Sequence, residues 1–383
     1  MRGPGAGISP VRGHPTVQGQ PTVGISEKPE LVPLDRLAQQ YAFLPPRTKG
    51  LDTVGTVAGV LDGSVRAFIG LGGNFVRAAP ETARLENAWR RLRLSVQVAT
   101  KLNRSHLVCG EVTLLLPCLG RLERDTQASG DQTVTTEDST TCIHASFGTH
   151  DPAADTLLSE PAIVAGIARA TLPDNPSIPW QAWVDDYARV RDAIEATYPD
   201  QFRDFNARLK TPGGFPRPVA ARERRWETDS GKAGFMVPTT LDASGIDEAP
   251  ERLRLVTVRS NDQFNTTIYG YRDRFRGIDG TRRVVMLCDE DMRRLGLAEG
   301  ELVDLVGDYD DGVERAVGGL RVTRMDLPPG CIAGYYPECN PLLANAHHAI
   351  DSHVPAGKSI PVRIRRGQQA PVPAGPSPVE SDH

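Results

Sequence analysis

Val65-Arg-Ala-Phe-Ile-Gly-Leu-Gly-Gly-Asn74 is an apolar run ending in a glycine turn, and Pro80-Glu81 follows it and opens a stripe of Leu85, Ala88, Trp89 and Leu92. The run has the composition of a strand. The stripe has the three-to-four-residue spacing of a helix that buries one face, and proline is suited to a helix's first turn. This strand–turn–helix unit is followed by apolar runs Leu94 to Val98 and Val112 to Leu116, the latter stopped by Pro117. Strands joined through crossover segments predict a parallel sheet, with ligands bound at the carboxyl ends of its strands.

Outward from that unit the chain changes character. Upstream, the pattern from Val54 reads as alternating, and the first 30 residues, rich in Gly and Pro, read as loop or extended chain. Downstream, Ser159-Glu160-Pro161 reads as a cap and first turn leading into Ile163, Val164 and Ile167, and Trp183, Tyr187, Val190 and Ile194 continue at helical spacing. Thr211 to Pro250, rich in Pro, Gly and charge, reads as an extended connector. Six apolar or alternating runs then follow: Leu253–Val258, Val284–Leu287, Leu302–Val306, Val313–Val322, Cys331–Tyr336 and Ile360–Ile364. They predict a closed barrel, with Asp311-Gly312 at a hairpin turn and Asp289 capping a short helix that carries Met292 and Leu295. The tail from Gly367 to His383 has the Pro- and Ser-rich composition of disorder.

Length and composition bound the function. At 383 residues the chain is long enough for two or three domains, each burying a core. A net charge of −4 leaves no excess of cations for a dedicated nucleic-acid binder. Six lysines among 44 basic residues leave 38 arginines (44 − 6), which suits phosphate binding and equally follows from a GC-rich coding sequence. No apolar run is long enough to span a membrane and the first residues lack an apolar export segment, so the expected location is the cytoplasm. The six cysteines stand apart without a CxxC pair, which argues against a cluster within these residues or a disulfide framework and reads as buried small apolar side chains.

Three stretches carry candidate chemistry. Gly70-Leu-Gly-Gly-Asn74 lies between strand and helix, where backbone N–H groups can hold an anion. It lacks the third glycine of a dinucleotide fingerprint and a P-loop lysine, so a tight structural turn explains it as well. Arg259-Ser-Asn-Asp-Gln-Phe-Asn-Thr-Thr267 concentrates donors and acceptors at the end of a strand, as a polar ligand requires or as a solvated loop has. His347, His348, Asp351 and His353 lie close in sequence but without the spacing of a known metal motif, and no metal ligand is assigned.

These segments, in order, resemble the C-terminal half of the molybdopterin-dependent oxidoreductases, closest to the formate dehydrogenase-like alpha subunits. The resemblance begins at Gly5-Ala-Gly-Ile-Ser-Pro-Val-Arg-Gly-His14 with Val17-Gln18-Gly19. It continues through Ile69–Asn74, Thr100-Lys-Leu-Asn-Arg104, Leu116–Glu123 and Val134–Ser139 to Ser260–Gly270 and Cys339-Asn-Pro-Leu-Leu343. It implies a Rossmann-like parallel-sheet domain followed by a double-psi β-barrel, holding a bis-molybdopterin guanine dinucleotide cofactor with molybdenum. On that reading the chain divides into an inter-domain segment (1–30), a Rossmann-like domain (31–175), a helical segment and connector (176–250), the barrel (251–366) and a tail (367–383).

By motif position the resemblance assigns Gly72, Asn74, Thr100, Lys101 and Asn103 to one dinucleotide. It assigns Arg259, Asn261, Asp262, Gln263, Asn265 and Thr266 to pyrophosphate and pterin, and Asn340 and Lys358 to further barrel contacts. Arg12 would stand beside the metal and orient an anionic small-molecule substrate, a role suited to a permanently charged, forked donor. His14 replaces the glutamine of the formate enzymes, which detaches formate from the expectation. The family's other half carries any 4Fe–4S cluster and the metal ligand, so the expected partner is an N-terminal half or subunit. The alternatives are a non-catalytic pterin-nucleotide carrier or assembly module, and a decayed gene product.

Overall fold

The computed structural model describes residues 15–235, 249 and 251–366. Arg12, the Gly5–His14 motif, the tail and most of 236–250 lie outside the described residues. The chain divides into two compact units that interleave in sequence: 1–51, 98–101 and 116–239 form one, and 52–97, 102–115 and 240–383 the other.

The second unit opens on helix α1 (Thr53–Asp62), where an alternating pattern was expected. Val54, Val57 and Val60 recur every three residues and are buried, and Asp52 accepts the N–H of Gly55 at 2.8 Å as N-cap. The three-residue period and the cap outweigh the strand preference of valine, because burial on one helix face satisfies both. Strand β1 (Ala67–Leu71), the short helix α2 (Phe75–Ala78), helix α3 (Thr82–Trp89), β2 (Leu94–Ala99) and β3 (Thr113–Pro117) follow, with the strands in order β1-β2-β3. Bonds from Leu94 N to Arg66 O and from Ser95 N to Val112 O start both pairings, and Cys118 N to Ala99 O continues the second, so the strands run parallel. Leu85, Trp89 and Leu92 are buried with Val57, Val60 and Val76, as the helical stripe requires.

The same unit ends in the six-stranded closed barrel. Its strands are β4 (Leu253–Val258), β5 (Val284–Leu287), β6 (Leu302–Gly307), β7 (Ala316–Arg324), β8 (Cys331–Tyr335) and β9 (Ile360–Arg366), in ring order β5-β7-β6-β9-β4-β8. Two pairings are parallel, Leu255 beside Ile332 and Val285 beside Val322, and closure leaves no free edge. Strict alternation along β4 sends Leu253 and Leu255 into a core with Val285, Leu287, Val303, Leu305, Leu320 and Ile360. Gly334 permits this packing, since a Cβ there would lie 2.5 Å from Cys339 Sγ. Helix α4 (Asp289–Leu295) follows β5, and its N-cap is Cys288, whose Sγ accepts from Asp291 N, not Asp289 as expected. Asp289 instead lies in the first turn, where its charge favours the helix dipole.

The first unit holds the helices Glu160–Thr171, Trp180–Asp185 and Tyr187–Thr197, with Ser159 capping the first as expected. Pro15–Thr22 is also helical, although loop or extended chain was expected, and bonds from Val23 N to Gly19 O and Gln20 O close its last turn. A hairpin of Val134–Glu137 and Cys142–Ser146 pairs with Phe215–Pro216 over a core of Ile143, Phe202, Phe205, Leu209 and Phe215. The expected connector contains this two-residue strand and a 3-10 turn at Ala220–Glu223. All six cysteines are free; Cys118, Cys288 and Cys339 are buried, but Cys109 is exposed and Cys142 and Cys331 are partly so, which corrects the uniform expectation. Among the described residues no helix is long and apolar enough to cross a membrane.

Candidate functional site

The loop between β4 and β5, residues 259–283, is organised around a charge that sequence reasoning missed. Arg282 is 5% exposed and donates from Nε and one terminal nitrogen to both carboxylate oxygens of Glu338, at 2.6 and 3.0 Å. It also donates to Ser260 Oγ at 2.7 Å, Gln263 Oε1 at 2.9 Å and Tyr336 O at 2.9 Å, with its guanidinium over the Tyr335 ring. A planar fork with five N–H groups can serve this many acceptors at once, which a lysine cannot. No spacing rule connects position 282 to 260, 263 and 338; only the barrel brings them together.

The predicted loop residues divide by what their side chains bond. Gln263 Oε1 accepts from Ser260 N and Arg282, and its Nε2 donates to Asn265 O at 2.7 Å and Tyr336 O at 2.5 Å. Its amide is thus spent on the loop and on Tyr336, just past β8. Asn265 takes a left-handed conformation (φ 51°), and its Oδ1 accepts from Arg259 at 3.0 Å. Asn261 Oδ1 accepts the N–H of Arg274 at 2.8 Å, while its buried Nδ2 has no hydrogen-bond partner. An orphaned buried donor costs about 1–3 kcal/mol, so a bound acceptor there would remove a penalty. Asp262 is exposed.

The glycine turn meets this loop within the same unit. Gly72 and Gly73 hold positive φ values of 70° and 82°, and no atom lies within 4 Å of where a Cβ would stand on either. The turn therefore presents bare backbone beside open space. Asn74 follows it, its Nδ2 donating to Thr266 Oγ1 at 3.2 Å and its Oδ1 accepting from Ser105 Oγ at 2.5 Å. Asn103 closes the group: its Nδ2 donates to Gly73 O at 2.7 Å, and its Oδ1 caps the turn Arg104–Leu107 at Ser105 N. Three assigned positions, 74, 103 and 266, are thus linked with the turn at Gly73, and Ser105, which no motif singled out, joins Asn74 to Asn103.

The remaining assignments lie elsewhere. Asn340 is 3% exposed and donates to Arg77 O and Ala79 O at 3.1 and 2.6 Å, tying the barrel to the end of α2. Lys358 Nζ donates to Thr257 O, and burial with the nearby Arg259 charge lowers its pKa. Thr100 and Lys101 are exposed and follow β2 directly. Of the histidines, His348 and His353 lie together with ring centroids 4.8 Å apart, bonded to Ala349 O and Asp52 Oδ2, while His347 bonds Ser359 O. Beneath the loop, Asp273 is 2% exposed; burial raises its pKa, but hydrogen bonds from Tyr335 and Arg276 outweigh that and hold it below the usual value.

A backbone turn open to a ligand, a buried amide donor and the cations Arg259 and Lys358 suit a large anionic group bearing many acceptors. The Molydopterin dinucleotide binding domain family matches residues 253–360, from β4 to the start of β9. An uncharacterized oxidoreductase of Mycobacterium tuberculosis is 44% identical over 366 residues, covering 94% of this chain and 46% of the relative. Protein YdeP of Escherichia coli is 44% identical over 363 residues, covering 94% and 48%. The chain spans about half the length of the curated relatives it matches. Acetylene Hydratase from Pelobacter acetylenicus shares the fold, with a TM-score of 0.52 at 13% identity over 92% of this chain and 51% of that one. Barrel, loop and relatives agree: the barrel carries the Molydopterin dinucleotide binding domain, and the chain is similar to proteins of the molybdopterin oxidoreductase type.

Proposed function

We propose that this chain is the cofactor-binding C-terminal half of a bis-molybdopterin guanine dinucleotide oxidoreductase of formate dehydrogenase-like type, acting in the cytoplasm with an N-terminal half or subunit. The observation that carries the reading is the unpartnered Asn261 Nδ2 in the loop whose Thr266 bonds Asn74, beside the bare turn at Gly72 and Gly73. Asn261, Asp262, Thr266, Arg259 and Lys358 would hold pterin and pyrophosphate; Gly72, Asn74, Asn103, Thr100 and Lys101 would hold a dinucleotide arm. Gln263 and Asn265, whose side chains bond the protein itself, position the loop, and Asn340 ties the barrel to the end of α2. Bound molybdenum would supply two-electron chemistry, and the protein contributes binding, orientation and electrostatics. Arg12 would orient an anionic small-molecule substrate, and any 4Fe–4S cluster would come with the N-terminal half.

The need for a second half has support in the parallel sheet. Ile69, Leu71 and Leu114 are 47–54% exposed, and Leu102 and Leu107 more so. Parallel sheets are normally covered on both faces, so these side chains suit an added layer. The test is to express the chain alone and with an N-terminal half taken from a full-length relative, digest both preparations and measure molybdenum and released GMP. The expected result is near-stoichiometric amounts of both only in the paired preparation. Equal loading of the chain alone would overturn the split reading, and a paired preparation that takes up neither would overturn the cofactor reading.

A further inference from the structure

Outside the pterin site, the hairpin of Val134–Glu137 and Cys142–Ser146 gathers an oxygen, a sulfur and a nitrogen donor at its turn. Asp138, Cys142 and His144 place their ligand atoms within 4.8 Å of one another, all partly buried. Local structure sets this up. Asp138 N donates to Cys142 O at 2.8 Å and Thr141 N to Asp138 O at 3.0 Å, with Thr141 left-handed at φ 67°. Cys142 and His144, two apart on one strand, share a face of the sheet. Asp138 Oδ1 accepts from Thr140 N, Thr140 Oγ1 and Cys142 N at 2.8–2.9 Å, and Oδ2 stands 2.7 Å from His144 Nε2. Arg222, bonded to Thr140 O and Thr141 Oγ1, anchors the turn.

We propose that Asp138, Cys142 and His144 form a three-ligand site for a borderline-soft divalent cation of the Zn²⁺ class. The donor set selects it. A thiolate and an imidazole disfavour Mg²⁺ and Ca²⁺, which take oxygen, and suit Zn²⁺ or Co²⁺. Bonds of about 2.0–2.3 Å to a tetrahedral ion separate its ligand atoms by about 3.5 Å, so the 2.7 Å Oδ2–Nε2 contact opens by less than about 1 Å and the Cys142 sulfur, within 4.8 Å of its partners' ligand atoms, settles at the same spacing. The ion takes the place of the proton between that pair, which moves to His144 Nδ1 so that the imidazole binds neutral through Nε2; the thiol proton leaves to solvent, so binding strengthens as pH rises. Thiolate and carboxylate neutralise the dication, and the fourth position stays open to water. The three hydrogen bonds on Asp138 Oδ1 serve as the supporting shell such sites use. This site does not depend on the pterin reading.

The test uses the full chain, reduced and stripped with a chelator, titrated with Co²⁺ alone. About one equivalent should bind, giving thiolate-to-cobalt charge transfer in the near ultraviolet and the strong visible bands of tetrahedral cobalt, bleached by Zn²⁺. Cys142→Ser should abolish the charge transfer and His144→Gln should weaken binding at least about tenfold, while Cys109→Ser, which removes the exposed thiol outside the cluster, should leave both intact. Alkylation of Cys142 in the unmutated chain should slow when Zn²⁺ is added, a readout independent of whether the variants fold. Absence of stoichiometric cobalt binding, a spectrum that survives Cys142→Ser, or alkylation of Cys142 that ignores Zn²⁺ would overturn the proposal.

Discussion

The loop at 259–283 and most of the sheet β1-β2-β3 belong to the same compact unit and are finished to different degrees. The loop is held from within: Arg282 alone joins Ser260, Gln263, Tyr336 and Glu338, and Asp273 joins Tyr335 and Arg276. The sheet buries one side against α1 and α3, yet Ile69, Leu71 and Leu114 stand in the open. A region stabilised by its own polar network needs a ligand only for its last orphan donor. A region with uncovered apolar surface needs another layer of protein.

The largest effect that would break this contrast is at Arg282. Arg282→Met should cost about 3–5 kcal/mol in urea unfolding, because Glu338 and the Gln263 carbonyl lose a buried partner. A loss under about 1 kcal/mol would mean the loop is not held by this charge. Next, Asn74→Ala should cost about 1–2 kcal/mol, since its two side-chain bonds to Thr266 and Ser105 vanish together. In the paired preparation the same change should lower GMP content, whereas Leu61→Ala, remote from the turn in sequence, should alter melting without that loss.

Acid sharpens the comparison further. Asp273 has a folded pKa below its ordinary 3.8, so it binds its proton more readily in the unfolded chain. Its contribution is fully present above the ordinary value and is lost as pH falls through and below it. Unfolding stability of the parent should therefore drop below pH about 4 more steeply than that of Asp273→Asn, whose flatter profile is read from urea melts across the acid range; matching slopes would remove Asp273 from the loop's network. The smallest effect belongs to the sheet. Ile69→Ser with Leu114→Ser should change stability by no more than about 0.5 kcal/mol per site, while association with an N-terminal half, followed by sedimentation, should weaken. Unchanged association would show that this face is not the one covered.

Local pattern carried the barrel and the α3 stripe, because alternation and helical spacing are written in neighbouring residues: Leu253 and Leu255 point inward as their period demands, and Leu85 and Trp89 are buried. It failed where two local signals competed. Val54, Val57 and Val60 favour strands by residue type, and the helix wins through the Asp52 cap and the buried face. Cys288 caps α4 although Asp289 beside it has the better capping chemistry, since the chain reaches helical dihedrals one residue earlier. At the site, the polar run after Val258 was legible as a dense set of donors. Which of them remain available was not, because Gln263 and Asn340 are consumed by Tyr336, Arg282, Arg77 and Ala79, partners that only the folded unit supplies.

The most direct measurement is hydrogen exchange on the paired protein, purified with and without its cofactor. Slowed exchange at the backbone amides of 72–74 and 260–268 in the loaded form, with β6 and β7 unchanged, is the result expected. Identical exchange at both stretches in loaded and empty protein would contradict the account.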